Sequence, residues 1–180
     1  MWNDMMRPVD IVVLVYLYVE QNRRSGRSDF DPELWTYQSL ADALLLPKSS
    51  LFRSIQNAEA GRLLNNKRLN EARFIHFLMY GVPVIFPVTT GSMDVGTPTS
   101  MTANLFGSEY QLVSTTPHIW PNPNGQIKGI AVEPLHASAV GLAERDSDAH
   151  RLLAAVDGLR LGGARETEMA LSFLAALESI

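Results

Sequence analysis

The chain has 180 residues, 46% of them apolar and 19% charged, with no cysteine. That length suits one domain, or a small domain with a substantial extension, and supports a core without covalent staples. The missing cysteines exclude disulfides, thiolate chemistry and cysteine-bound zinc, and fit a reducing compartment. A formal net charge of −4 argues against a general nucleic-acid binder, whose affinity comes from neutralising phosphates.

The first apolar run, IVVLVYLYV at 11–19, is far shorter than the roughly 20 residues a membrane-spanning helix requires. Asp4 and Asp10 flank it and no small-residue cleavage site follows, which argues against a signal peptide. The cytoplasm is therefore the expected compartment, with no membrane partner. The β-branched content would suit a buried strand. Pro8 in a first turn, Asp10 beside it and the polar stop Glu20-Gln21-Asn22 favour a helix over 8–21, buried on more than one side. One side would cover the elements that follow, and another could meet a second subunit.

Residues 23–33 form a polar loop marked by Ser25-Gly26 and Asp31-Pro32. The segment 39–64 reads as two short helices joined by a tight turn. Helix 35–45 packs through Leu40, Ala41, Leu44 and Leu46; Pro47 occupies the first turn of the next, which ends near Ala60 with Gly61 as its stop. A short hairpin over 63–68, with Asn65-Asn66 at its tip, precedes a helix over 70–80 carrying Phe74, Phe77 and Leu78. The texture then changes. VPVIFPV after Gly81 predicts a buried strand, 89–98 a Gly/Thr/Ser-rich loop, and 105–123 shows no clear period. The turn Pro121-Asn122-Pro123-Asn124-Gly125 leads to a strand over 127–132. Ser147 caps a helix reaching Leu159, Gly162-Gly163 breaks it, and a last helix from Ala164 presents Ala170, Phe173, Leu174 and Leu177.

The second helix of 39–64 has the chemistry for reading DNA. Lys48, Ser49, Ser50, Arg53 and Gln56 are small, polar or cationic, and would reach base edges and phosphates. Arg53 suits a guanine edge and Gln56 an adenine. Phe52 is either core or a contact to a thymine methyl. Lys67 and Arg68 on the hairpin would hold neighbouring phosphates. Residues 47–74 carry six basic residues against Glu59 and Glu71, whereas 81–180 carry five basic against ten acidic. A local basic surface on an acidic protein fits a DNA-reading module with a separate region for partners.

The stretch LADALLLPKSSLFRSI resembles the helix-turn-helix of MarR-like winged-helix regulators at Leu40, Ala41, Leu46, Ser49, Ser50, Leu51, Arg53 and Ile55. It departs from their pattern at Leu45, where a turn glycine is usual, and at Pro47, where a capping serine is usual. The resemblance covers about residues 8–75. The remainder is similar, in scattered segments, to abortive-infection antitoxins often encoded beside nucleotidyltransferase toxins. Those segments are GVPVIFP at 81–87, GTPT at 96–99, Trp120-Pro121, Glu133-Pro134-Leu135 and DGLRLGGARE at 157–166. The resemblances imply an autoregulatory repressor that also binds a protein partner such as a toxin.

No catalytic pattern emerges. His76, His118, His136 and His150 share no ligand spacing, and Ser92 and Ser100 lack a nucleophile-elbow context. Neither a metal nor another cofactor is expected. Asp157, Arg160, Arg165 and Glu166 flank the glycine break, either as an anion or partner site or as an ion-pair cluster setting the angle between two helices.

The expected fold class is α+β, mainly α: a winged helix-turn-helix domain over 1–80 and an α+β extension over 81–180 for association or partner binding. The expected function is a sequence-specific regulator of double-stranded DNA, acting as a homodimer. The alternatives are a partner-binding antitoxin or scaffold with a vestigial helix-turn-helix and, third, a small-ligand sensor.

Overall fold

A computed structural model describes residues 6–25, 35–107 and 116–179. The architecture is α+β and mainly helical. Helix α1 (Pro8–Ser25) has Asp10 in its first turn and Arg23 and Arg24 in its last, each sign matched to the helix dipole. Residues 9–15 and 17–19 are all buried, so the helix is enclosed nearly all round. That enclosure holds a β-branched run in helical form, because burial of each Val, Ile or Leu is worth roughly 1.5–3 kcal/mol against a small propensity cost.

The polar loop expected over 23–33 overlaps the end of α1, and its remainder lies outside the described residues. Helix α2 (Tyr37–Leu44) starts two residues later than expected because Thr36 caps it. The Thr36 hydroxyl accepts from the Ser39 amide at 3.0 Å, and the Thr36 amide donates to Ser39 Oγ at 2.9 Å. The helix ends at Leu45, which takes φ 54° in the left-handed region although it is not glycine, and is 73% exposed. Pro47 then caps α3 (Lys48–Ala60) with extended backbone, leaving the first amides without a side-chain acceptor.

Gly61 follows α3, but it is Arg62 that turns left-handed, at φ 56°. Its amide reaches Glu59 O and the Leu63 amide reaches Ala58 O, both at 2.9 Å, the Schellman closure. Strands β1 (Leu64–Asn65) and β2 (Arg68–Leu69) form the expected hairpin, with its tip one residue further on. Asn66 and Lys67, not Asn65-Asn66, occupy the turn, with φ of 47° and 63°.

Beyond the hairpin, α4 (Glu71–His76) runs through a π-helical turn (Phe77–Gly81) into α5 (Val82–Ile85). The strand expected over 82–88 is therefore corrected to helix followed by an irregular connection. Pro83 has no amide to donate, and it stands where the π-helical turn passes into the first turn of α5. The loop expected over 89–98 is likewise corrected: β3 (Thr90–Thr99) is the longest strand. It pairs antiparallel with both β4 (His118–Pro121) and β5 (Ile127–Val132), which pair parallel with each other, so three strands close into a small barrel. So tight a closure needs missing side chains. A Cβ on Gly96 would lie 1.9 Å from Trp120 O, and one on Gly129 2.2 Å from Pro117 O. Gly96 reads as loop in sequence because its packing partner is distant in the chain, whereas Gly129 lies in β5, the strand expected over 127–132.

Helix α6 (Ala137–Arg145), which the periodicity did not reveal, leads directly to α7 (Ser147–Leu161). Asp146, not Ser147, caps α7, accepting from the amides of Asp148 and Ala149 at 3.0 and 3.1 Å. Gly162 at φ 73° ends α7 and α8 (Ala164–Ala176) follows, burying Ala170 and Leu174. Most of the buried apolar side chains form one cluster from Ile11 to Leu174, and α1 packs on both α3 and α7. The boundary expected between residues 80 and 81 falls inside the helical run 71–85. Among the described residues, no helix is long and apolar enough to cross a membrane.

Inside α7, Asp157 and Arg160 form a buried ion pair at 2.6 Å. Asp157 also accepts from Thr99 Oγ1 at 2.8 Å and Trp120 Nε1 at 2.5 Å, while Arg160 donates to the carbonyls of Phe86 and Glu133 at 2.8 and 3.1 Å. Burial pushes the Asp157 carboxyl up, against the opposing pull of Arg160, Thr99 and Trp120. The pair thus fastens α7 to the barrel and its flanking segments.

Two outcomes follow from this packing. Replacing Arg160 with Met leaves a buried carboxylate without its cation and should cost about 3–5 kcal/mol in urea unfolding; a loss below about 1 kcal/mol would contradict the pairing. Leu45→Gly removes left-handed strain of roughly 1–2 kcal/mol at an exposed site, partly offset by unfolded-chain entropy. The melting temperature should rise by roughly 1–4 °C, and a fall would show that Leu45 carries no such strain.

Candidate nucleic-acid interface

The helix α3 is aimed by its buried face. Leu51, Ile55 and Ala58 form an apolar stripe, but Ser54 and Asn57 on the same side are buried too. Both bond to Asp10 of α1, whose carboxylate has no exposure: Ser54 Oγ donates at 2.6 Å and Asn57 Nδ2 at 2.8 Å. Arg7 completes the ring, its amide donating to Asp10 at 2.7 Å and its guanidinium at 2.7 Å. The same guanidinium reaches the Ser50 carbonyl at 3.3 Å. Burial pushes the Asp10 carboxyl up, but the donors Arg7, Ser54 and Asn57 outweigh it and hold it below its ordinary 3.8.

Helix α1 also holds the hairpin. The Gln21 amide donates to Leu69 O at 3.1 Å and accepts from Leu69 N at 2.9 Å, as a strand neighbour would. Asp10 and Gln21 stand 11 residues apart on one helix, so the points at which α1 holds α3 and the hairpin are roughly 16 Å apart along its axis.

With its inner face fixed, α3 presents Lys48, Ser49, Phe52, Arg53 and Gln56 to solvent. These five expected residues share one arc of the helix. Ser50 does not join them fully: it is half-buried on the side where its carbonyl meets Arg7. Lys67 and Arg68 are exposed on the hairpin. Phe52 is 51% exposed, so it is not core. Its ring lies 5.7 Å from Tyr37, and Tyr37 lies 5.8 Å from Trp35, edge to face. Trp35 and Lys67 exchange hydrogen bonds, indole to carbonyl and ammonium to carbonyl, each at 3.3 Å. The Lys67 ammonium sits 5.3 Å from the Trp35 ring centre, within cation–π range. A row of aromatic rings therefore links α3 to the hairpin tip.

The positioning residues Arg7, Asp10, Gln21, Trp35, Tyr37, Ser54 and Asn57 were missed by sequence reasoning. One signal was available: Ser54 and Asn57 are polar residues three apart on an otherwise apolar stripe, opposite a lone acid in an apolar run.

Elsewhere the expected clusters disperse. Ser100 Oγ lies 2.8 Å from His118 Nδ1, and Glu166 lies 3.4 Å from the same nitrogen. Acyl transfer would need hydroxyl and carboxylate on opposite ring nitrogens and a reachable hydroxyl. Ser100 has no exposure, and its left-handed φ of 56° shapes the turn after β3. His136 caps α6, His150 bonds Pro98 O at 2.8 Å, and His76 pairs with Glu178 at 2.9 Å. Among the described residues, no group of three or more His, Asp or Glu is placed to hold a metal. Of the four charged residues around Gly162-Gly163, Asp157 and Arg160 face the interior, Glu166 meets His118, and Arg165 is exposed. They form neither a single site nor a shared cluster between α7 and α8.

Compared with known proteins, the chain matches no family model, no curated protein and no solved structure.

The Asp10 network has a pH signature. Its carboxylate contributes fully above the unfolded value of about 3.9 and is lost as pH falls through its lower folded value. Asp10→Asn should therefore weaken the fold by roughly 1.5–3 kcal/mol near neutrality and flatten the decline below pH 4. Parallel acid-limb slopes for the two proteins in urea titrations at each pH would contradict that assignment.

Proposed function

We propose that the protein is a sequence-specific regulator of double-stranded DNA, built as a winged helix-turn-helix with α3 as its reading helix. The observation that carries this reading is the fixed, solvent-facing arc Lys48, Ser49, Phe52, Arg53 and Gln56, set beside the cations Lys67 and Arg68 of the hairpin. An α-helix fits the major groove, which is about 12 Å wide. In this mode Arg53 and Gln56 address base edges, and Lys48, Lys67 and Arg68 address phosphates. The resemblance to MarR-like regulators at residues 40–55 is in keeping with that arrangement. A homodimer is the expected working form, because paired half-sites multiply the specificity of a single module. The acidic second half remains available for partners and keeps non-specific DNA affinity low.

A second reading, a protein-binding antitoxin or scaffold, draws on an observation of its own. Tyr80, Val84 and Ile85 on the 71–85 helical run are 62%, 78% and 46% exposed. Large apolar side chains gathered on one segment are a common basis for protein contacts.

A gel-shift series with the chain's own upstream region, titrated with salt, separates the two. The regulator retains the fragment with an affinity that falls steeply with salt. Arg53→Ala should then lower specific affinity by about 1–3 kcal/mol and relax one base position. Retention that is unchanged by the substitution would remove Arg53 from the interface.

A further inference from the structure

On a face otherwise made of Lys48, Ser49, Arg53 and Gln56, Phe52 is out of place: a large apolar ring left 51% exposed. It is also held in place. One flank rests on Tyr37 at 5.7 Å with the rings inclined by 50°, Tyr37 rests edge-on against Trp35, and Trp35 is tied to Lys67 by two hydrogen bonds. An exposed side chain so restrained has already lost much of its freedom before any ligand arrives, so a contact made by its outer surface is entropically favourable. The apolar group that a base edge offers in the major groove is the C5-methyl of a pyrimidine; the other edge atoms there donate or accept hydrogen bonds.

We propose that Phe52 reads a C5-methylpyrimidine in the major groove, and that Tyr37 is the positioning residue holding its ring. The inference rests on the DNA-binding reading above and deepens it by naming a chemical determinant of the target. Thymine and 5-methylcytosine carry the same methyl, so either base can supply it.

The test begins with duplexes selected from a random pool by the full chain, with affinity measured by fluorescence anisotropy. In one arm each thymine is replaced singly by uracil, which removes only the methyl. In the other each cytosine is replaced singly by 5-methylcytosine, which adds it. Burial of one methyl corresponds to roughly a three- to fivefold change in affinity. A loss of that size at one thymine identifies thymine as the group read, and a gain at one cytosine identifies 5-methylcytosine. In either case the methyl effect should vanish in Phe52→Ala and persist, reduced, in Phe52→Leu, with thermal melts verifying that both variants fold. Tyr37→Ala should bring the methylated-to-unmethylated affinity ratio toward one, whatever it does to absolute affinity, and Tyr37→Phe should restore the ratio. Ratios near one at every position in both arms, or a ratio unchanged in Phe52→Ala, overturn the proposal while leaving the DNA reading standing. Tyr37→Ala with an undiminished ratio overturns the positioning role. A pool from which no duplex is retained overturns the DNA reading and this inference with it.

Discussion

Helix α1 is the element on which the candidate interface depends, and the constraint it imposes is polar. A carboxylate with no access to water must have its lone pairs occupied, or its burial would cost several kcal/mol. Asp10 meets that requirement with donors from α3 and from Arg7, so α3 has one acceptable rotation and depth against α1. Apolar packing through Leu51, Ile55 and Ala58 would tolerate small slides of one helix on another; directional hydrogen bonds to a fixed carboxylate do not. Three turns later, Gln21 fixes the hairpin by extending its ladder with side-chain amide groups. The exposed arc of α3 and the hairpin cations thus take their spacing from a helix that touches neither surface.

The same helix is tied at its far end to the second half of the chain. Arg23 grips Asp146 through both carboxylate oxygens, at 2.8 and 2.7 Å, and reaches Asp148 at 2.9 Å. Asp146 is also the cap of α7, so the end of α1 and the start of α7 share one acid. Hydrogen bonds from Arg23 hold the Asp148 carboxyl below its usual range. Further along α7, Asp157 and Arg160 fasten the closed three-stranded sheet. A series of polar contacts, buried at Asp157–Arg160 and at Asp10 and partly exposed at Arg23, therefore runs from the barrel through α7 and α1 to α3.

The exposed residues divide by the same logic. Lys48, Arg53, Gln56 and Arg68 are polar side chains exposed on α3 and the hairpin. Phe52 differs in that its exposure is supported by a neighbour rather than merely tolerated. The row Phe52, Tyr37, Trp35 makes the surface between α3 and the hairpin one continuous piece.

The sequence by itself determined the helices whose apolar period is long or whose ends carry strong signals: α1, α2, α3, α7 and α8, together with the hairpin after Gly61. It also assigned Lys48, Ser49, Arg53 and Gln56 of α3 to an exposed face, because a 3.6-residue period assigns faces, but it left Phe52 open between core and surface and counted the half-buried Ser50 with the exposed residues. It did not reveal the barrel, since Gly96 of β3 acts through close approach to Trp120, 24 residues on, and Gly129 of β5 through approach to Pro117 and Ile119 at the start of β4. The helical form of 81–85 was hidden for a related reason: the apolar run VPVI fits a strand or a helix equally, and its docking on α7 decides between them. Only the tertiary structure decided the site's supports. Asp10, Gln21, Tyr37 and Trp35 have no local pattern, because each acts on a residue 15 to 48 positions away, and pairing at that distance is fixed by packing rather than by period.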